Sequence, residues 1–405
     1  MNNKIHTPDG LNDILEYETA LKRGVEATAT HVFKSFGYFE VQPPTIEFYD
    51  VFSSMEQEDM IKFFDNSGRI LTLRPDLTTP IARIAATKMS RMPMPRRIFY
   101  IGNAFRDSSA YRGALQKEFT QAGVELLGST SPESDAEIIA VTIRTLLSSG
   151  LTDFQIEIGQ IEYFNGLMED IEPEIASQMR ELIDDKSIVA LTEMANQYID
   201  DEEIRNIVLD LPNRFGDISI LDVQPCPNER TRAALQNLKD IYEVVKEYEL
   251  EKYVSIDLSL VAKFKYYTGM ILKGFARGLG FSICGGGRYD NLIEEFGIAI
   301  PATGVAIGID RLLTAIKPTV PKISSDSIFV YDTGMRKITL GIAEILRRDD
   351  LKIQVWFEAG DLDGAKEYAH LCEIGGVLYF NATGVDVINV KDDTVNHTSL
   401  EELLA

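Results

Sequence analysis

Near the start of the chain, Leu21, Val25, Val32, Phe33 and Phe36 recur at roughly helical spacing, which predicts a helix over Glu16–Phe36 closed by Gly37. The segment that follows, GYFEVQPPTIE, cannot continue it, because Pro43 and Pro44 lack backbone donors and fit an edge or interface strand. From Arg69 to Glu125 short apolar runs (ILTL, RRIFYIG, FTQAGVELLG) alternate with turns, the pattern of an antiparallel sheet. Between about 161 and 249 the period becomes helical and the polar positions strongly acidic, as in DIEPEIASQMRELIDD, so this stretch reads as a helical insertion. Strands return in VSIDLSLV, YYTGMILKGF, FSICGGGRYDNLI and TGVAIGIDRLL, the last running into a helix.

Pro318 and Pro321 mark a linker over 318–323. Beyond it IFVY, a helix near Lys337 to Arg347, IQVWF, a helix near Leu362 to Cys372, VLYF and VDVINV alternate as in a small α/β domain spanning 324–405. The fold class expected is α+β: an antiparallel sheet flanked by helices within 1–317, then the small domain.

Composition narrows the possible functions. A chain of 405 residues exceeds what one core usually supports, so two or three domains are expected. Forty basic against 63 acidic side chains give a net charge of −23, the wrong sign for a protein that grips a phosphate backbone. No run of apolar residues is long enough for a signal peptide or a membrane span, so a soluble, cytoplasmic protein is expected. Cys226, Cys284 and Cys372 lie far apart without CxxC spacing, which suggests neither a zinc site nor a disulfide framework. No metal or cofactor is expected.

Four short segments carry candidate chemistry. In TLRPDLTTP, Asp76 and Thr78 would either fix an ammonium group or cap a turn. In FTQAGVELLG, period-two alternation puts Phe119, Gln121, Gly123 and Glu125 on one face; a carboxylate buried there needs either a cationic ligand or a structural arginine. GGGRYDNL offers three glycines before Arg288 and Asp290, which suits either close approach of a small molecule or a glycine-rich hairpin. Arg106 leaves a strand before a polar loop. Arg311, at the start of a helix, would reach a triphosphate or pair with Asp310.

It is the order of these segments that makes them specific. TPDGLNDILEYE resembles the N-terminal signature of the histidyl-tRNA synthetase family. GYFEVQPPTIE resembles class II motif 1, with Pro44 at the dimer-interface proline, FRDSSAYRGALQKEFTQAGVE resembles motif 2, and GVAIGIDRL motif 3. LVAKFKYYTGMIL and CGGGRYDNLI resemble the two histidine-specific motifs. This resemblance implies a six-stranded antiparallel sheet and a dimer formed through motif 1. It also implies a histidine pocket built from Asp76, Thr78, Gln121, Glu125, Tyr266 and Tyr267, with Arg106 and Arg311 as possible nucleotide or phosphate contacts.

The pattern breaks where adenylate chemistry needs positive charge. The family's arginine in LVRG is Ala262 here; losing one such donor typically costs on the order of 10²–10³ in rate. Lys263 is one residue on and would face the other side of a strand. Ser108 replaces the glutamate of FRxE, and the loop after Gly113 becomes ALQKE without an arginine. These losses and the acidic charge resemble a paralogous group, the regulatory subunits that accompany short-form ATP phosphoribosyltransferases. That kinship implies a chain with no catalysis of its own, a catalytic partner in the first step of histidine biosynthesis, assembly as a hetero-octamer, and histidine as effector. The alternative is a divergent but functional histidine–tRNA ligase.

The small C-terminal domain resembles a shortened anticodon-binding domain. From 324 to 405 it carries 7 basic and 15 acidic side chains, which disfavours tRNA. Its aromatics Trp356, Phe357, Tyr368, Tyr379 and Phe380 are expected in its core.

Overall fold

The computed structural model describes residues 4–53, 60–107, 116–261, 266–316 and 324–403. The expected linker over 318–323 lies outside them. The chain divides into two compact units, Met1–Thr319 and Val320–Ala405.

A sheet of nine strands among the described residues runs through the first unit. Its order is Phe39–Glu40, Arg96–Phe105, Glu118–Leu127, Ala302–Gly308, Ser282–Arg288, Met270–Ala276, Phe154–Gln160, Val254–Asp257 and Phe215–Gly216. The six strands from Arg96–Phe105 to Phe154–Gln160 pair antiparallel throughout. The expected six-stranded sheet is therefore the centre of a wider, mixed one: Phe39–Glu40 adds parallel at one side, Val254–Asp257 parallel at the other, with Phe215–Gly216 at the far edge. Phe39–Glu40 and Val254–Asp257 lie in the segments GYFEVQPPTIE and VSIDLSLV, both expected to be extended, whereas Phe215–Gly216 is too short to show a period of its own.

The first helix spans Glu16–Ser35, with Glu16 and Glu18 in its first turn and Lys34 in its last, each sign favourable to the helix dipole. It buries Val25, Ala29, Val32 and Phe33, spaced on one face, and Phe33 meets Phe99 of the sheet with ring centroids 5.5 Å apart. Gly37 follows at φ +81°, a left-handed conformation that glycine adopts without strain. The helix Pro132–Ser148 buries residues along nearly its whole length and packs between sheet and the helix Glu229–Glu247. The insertion is helical as expected, with helices Ile161–Leu167, Pro173–Asp184, Ile188–Tyr198, Glu202–Asp210 and Glu229–Glu247.

Residues 69–92 depart from expectation. ILTL is a strand, but Ile70–Leu73 joins a separate three-stranded sheet between Ile46–Phe48 and Lys62–Phe64. A helix over Thr78–Ile84, prolonged by a wider turn to Met89, then replaces the expected strand and turn. Its apolar positions, Ile81, Ala82 and Ala85, face a second core with Ile98, Tyr100 and Tyr289.

In the second unit five strands, ordered Ile353–Val355, Ser327–Tyr331, Gly376–Asn381, Gly384–Asn389 and Val395–Thr398, form a mixed sheet. Alternation along Ser327–Tyr331 sends Ile328 and Val330 toward Ala365 and Ala369 of the helix Leu362–Leu371. Phe329 and Tyr331 go the other way, toward Ile342 and Ala343 of the helix Arg336–Arg347. Phe380 is fully buried, as expected, but Phe357 is 94% exposed: it follows Ile353–Val355 in a turn, where strand alternation no longer directs it inward.

Candidate functional site

The strand Glu118–Leu127 sorts its side chains as its alternation predicts. Ala122, Val124 and Leu126 enter the main core, while Gln121, Gly123 and Glu125 share the opposite face. Register then explains two glycines. Gly123 lies opposite Tyr100, and Gly304 opposite Glu125. A Cβ at the first would collide with the Tyr100 ring, and at the second with the Glu125 carboxyl. Small residues on one strand thus make space for a phenol and a carboxyl on its neighbours.

Glu125 is 1% exposed. Its Oε1 accepts from Thr78 Oγ1 at 3.0 Å and from the Tyr100 hydroxyl at 3.4 Å, and its Oε2 accepts from the Tyr289 hydroxyl. Burial, which penalises the charged form, pushes its pKa up to about 8; the hydroxyl bonds from Tyr289 and Thr78 oppose that, and nearby Asp76 adds to it. Tyr266 packs on Tyr267 with centroids 4.7 Å apart and meets Tyr289 edge-on at 6.1 Å. Burial raises the pKa of all three phenols, so they remain neutral donors. Gln121 Oε1 is buried with no hydrogen-bond partner among the described residues. A buried carboxyl held by neutral hydroxyls and neighboured by three aromatic rings, with an amide oxygen further along the same strand face, favours a ligand with a cationic, N–H-bearing group.

The other expected contacts are distributed unevenly. Asp76 Oδ1 accepts from Thr79 N at 2.9 Å and Oδ2 from Thr79 Oγ1 at 3.1 Å, so its carboxylate caps the helix Thr78–Ile84. Burial raises its pKa, against the pull of those bonds and of Arg106. Arg106 Nε donates to the Pro75 carbonyl at 3.1 Å, and its guanidinium lies 5.5 Å from the Phe119 ring centre. Arg311 donates to the Ser282 carbonyl at 2.7 Å, while Asp310 pairs instead with Lys22 at 3.3 Å. Arg288, buried, donates to Asp135, Ser129, Asp290 and Ser134 and ties the sheet to the helix Pro132–Ser148. Arg74 reaches the carbonyls of Pro43, Pro44 and Asn103, fastening the double proline to the sheet. Both are structural arginines.

Tyr100 and Tyr289 belong to the constellation and were not singled out by sequence. Tyr289 sits inside GGGRYDNL between two residues that were, and Tyr100 inside an apolar run that reads as core. Ser108, Gly113, Ala262 and Lys263 lie outside the described residues. Two open hollows of about 520 and 760 Å³ occur on the insertion, and neither is lined by a residue of this constellation.

Comparison with known proteins identifies the family. The family model for histidyl-tRNA synthetase matches residues 10–312. The chain is 44% identical to the ATP phosphoribosyltransferase regulatory subunit of Acetivibrio thermocellus, covering 99% of each chain. It is 43% identical to the protein of that name from Ruminiclostridium cellulolyticum, covering 99% of this chain and 98% of that one. A crystal structure titled ATP phosphoribosyltransferase regulatory subunit/histidyl-tRNA synthetase, from Bacillus halodurans, superposes with a TM-score of 0.83 at 28% identity, over 94% of this chain and 99% of that one. A histidyl-tRNA synthetase from a Nostoc species shares the fold, with a TM-score of 0.82 at 20% identity, over 98% of this chain and 97% of that one. The chain belongs to the histidyl-tRNA synthetase family and, within it, to the ATP phosphoribosyltransferase regulatory subunits.

Proposed function

We propose that the chain is the non-catalytic regulatory subunit of an ATP phosphoribosyltransferase, acting with a short-form catalytic subunit in the first step of histidine biosynthesis, and that histidine in the Glu125 pocket is the signal it reads. The observation that carries this is the asymmetry of the old synthetase site. Its amino-acid side keeps a buried carboxyl, three hydroxyl donors and an amide oxygen with no partner among the described residues. On its nucleotide side the family arginine has become Ala262. A pocket that selects histidine without activating it is an effector site: if histidine prefers one arrangement of the assembly, typical couplings of about 1–3 kcal/mol give useful feedback.

Assembly through motif 1 has its own support. Across the three-stranded sheet, Ile46 pairs with Leu73, and Leu71 with both Phe48 and Phe63, so these five apolar side chains share one face. Ile46 and Phe48 are 47% and 45% exposed. A second copy of the chain is the occupant the motif 1 resemblance implies, and such a pair would seed the larger symmetric hetero-octamer.

The test is formation of phosphoribosyl-ATP by a short-form catalytic subunit with and without this chain, and with histidine added. The reading expects the chain to activate its partner and histidine to reverse that. A catalytic subunit equally active alone, or histidine-dependent ATP–pyrophosphate exchange by the purified chain, would overturn it.

A further inference from the structure

Among the described residues, Glu125 has neighbours that supply hydrogen bonds but no compensating charge. The helix Thr78–Ile84 contributes the Thr78 hydroxyl, the strand Arg96–Phe105 the Tyr100 hydroxyl, and the residue after Ser282–Arg288 the Tyr289 hydroxyl. The segment before Met270–Ala276 contributes the phenols of Tyr266 and Tyr267, close enough for Glu125 to disfavour their ionisation, while Gln121 lies on the same face four residues back along the strand. On the remaining side, Gly304 brings only backbone. Among the described residues two charged groups stand nearby. Asp76 is of the same sign and disfavours ionisation, and Arg106 is turned to the Pro75 carbonyl beside Asp76. An isolated carboxylate in such a place is costly, which favours the neutral acid in the ligand-free pocket, its O–H turning one of the three hydroxyls from donor to acceptor.

An amino-acid ligand changes this balance, because its α-ammonium is already charged in neutral water and needs an anion once desolvated. We propose that filling the pocket expels the Glu125 proton: the empty site carries a carboxylic acid, the occupied site a carboxylate paired with the ligand's ammonium group, and one proton passes to solvent for each ligand bound. The O–H bond of the acid breaks, its electron pair stays on the carboxylate, and the ammonium keeps its three protons. The inference rests on the reading that histidine enters here, and it makes the sensor pH-dependent. Below about pH 8, where burial places the Glu125 titration, affinity falls up to tenfold for each unit of acidification.

Calorimetric titration of histidine into the full-length protein at about pH 7, in buffers of different ionisation enthalpy, counts the protons exchanged. Close to one proton released by the wild type, and none by Glu125→Gln, is expected. Difference infrared spectra should also lose one carboxylic-acid C=O band when histidine is added to the wild type. This second reading stands on the wild type alone if the variant binds too weakly to titrate. Binding with no net release and an unchanged acid band would overturn the inference and leave the effector reading intact; release of the proton to the ligand's imidazole, which also gives no net exchange, would overturn it too. If histidine does not bind at all, the effector reading falls first and takes this inference with it.

Discussion

On the proposed reading, the amino-acid side and the nucleotide side of the synthetase-like site differ under the same fold. On the amino-acid side the polar groups converge: Thr78, Tyr100 and Tyr289, from three different elements, all donate to one buried carboxyl. On the nucleotide side the described arginines are held by the protein itself, Arg106 on the Pro75 carbonyl and Arg311 on the Ser282 carbonyl. Loss of activation chemistry therefore need not damage recognition, because the hydrogen bonds that hold Glu125 share no partner with these bonds of Arg106 and Arg311.

The strongest way to break that contrast is at Glu125. Glu125→Ala removes the acceptor of three hydroxyls, and histidine affinity measured by calorimetry should fall on the order of 100-fold, as for loss of a charged hydrogen bond worth about 1.5–3 kcal/mol. Gly304→Ala attacks the same place by overpacking. Its methyl group would meet the Glu125 carboxyl, and denaturant unfolding should show a loss of about 1–3 kcal/mol together with weaker binding.

Stability against pH sharpens the comparison. Glu125 is raised from an ordinary 4.5 to about 8 in the fold, so between those values the folded state binds its proton more tightly than the unfolded chain does. The contribution is fully present below about pH 4.5 and is lost as pH rises toward 8, by roughly 1.4 kcal/mol per unit at most. Glu125→Gln should therefore gain stability over the ligand-free wild type as pH rises through that window. A difference that stays flat from pH 5 to 8 would mean that Glu125 is ionised throughout.

The smallest effects belong to the nucleotide side. Arg106→Ala and Arg311→Ala each lose a hydrogen bond to a backbone carbonyl, costing about 1 kcal/mol of stability, and should leave histidine affinity within about threefold. A larger loss of affinity in either variant would join the two sides into one site.

Much of this was legible in the sequence for a physical reason. Strand alternation alone puts Gln121 and Glu125 on one face, and the structure keeps them there. Asp76 was left between ligand contact and helix cap, and the cap is what Thr79 makes of it. Tyr100 was hidden because a phenol in an apolar run looks like core; only the register that sets it opposite Gly123 shows that space was made for it. The helix Thr78–Ile84 is masked in the sequence by the polar turn that begins it, although Ile81, Ala82 and Ala85 mark a buried face that continues into the turn after it. Phe357 was assigned to a core on the strength of a strand that ends at Val355.

The central claim is that the retained amino-acid side is the effector receptor. It is tested most directly by titrating histidine into the phosphoribosyl-ATP reaction of a short-form catalytic subunit assembled with either this chain or its Glu125→Ala variant. The account predicts that both activate the catalytic subunit and that only the wild-type assembly is inhibited as histidine rises. Equal inhibition of the two assemblies would place the effector elsewhere and contradict it.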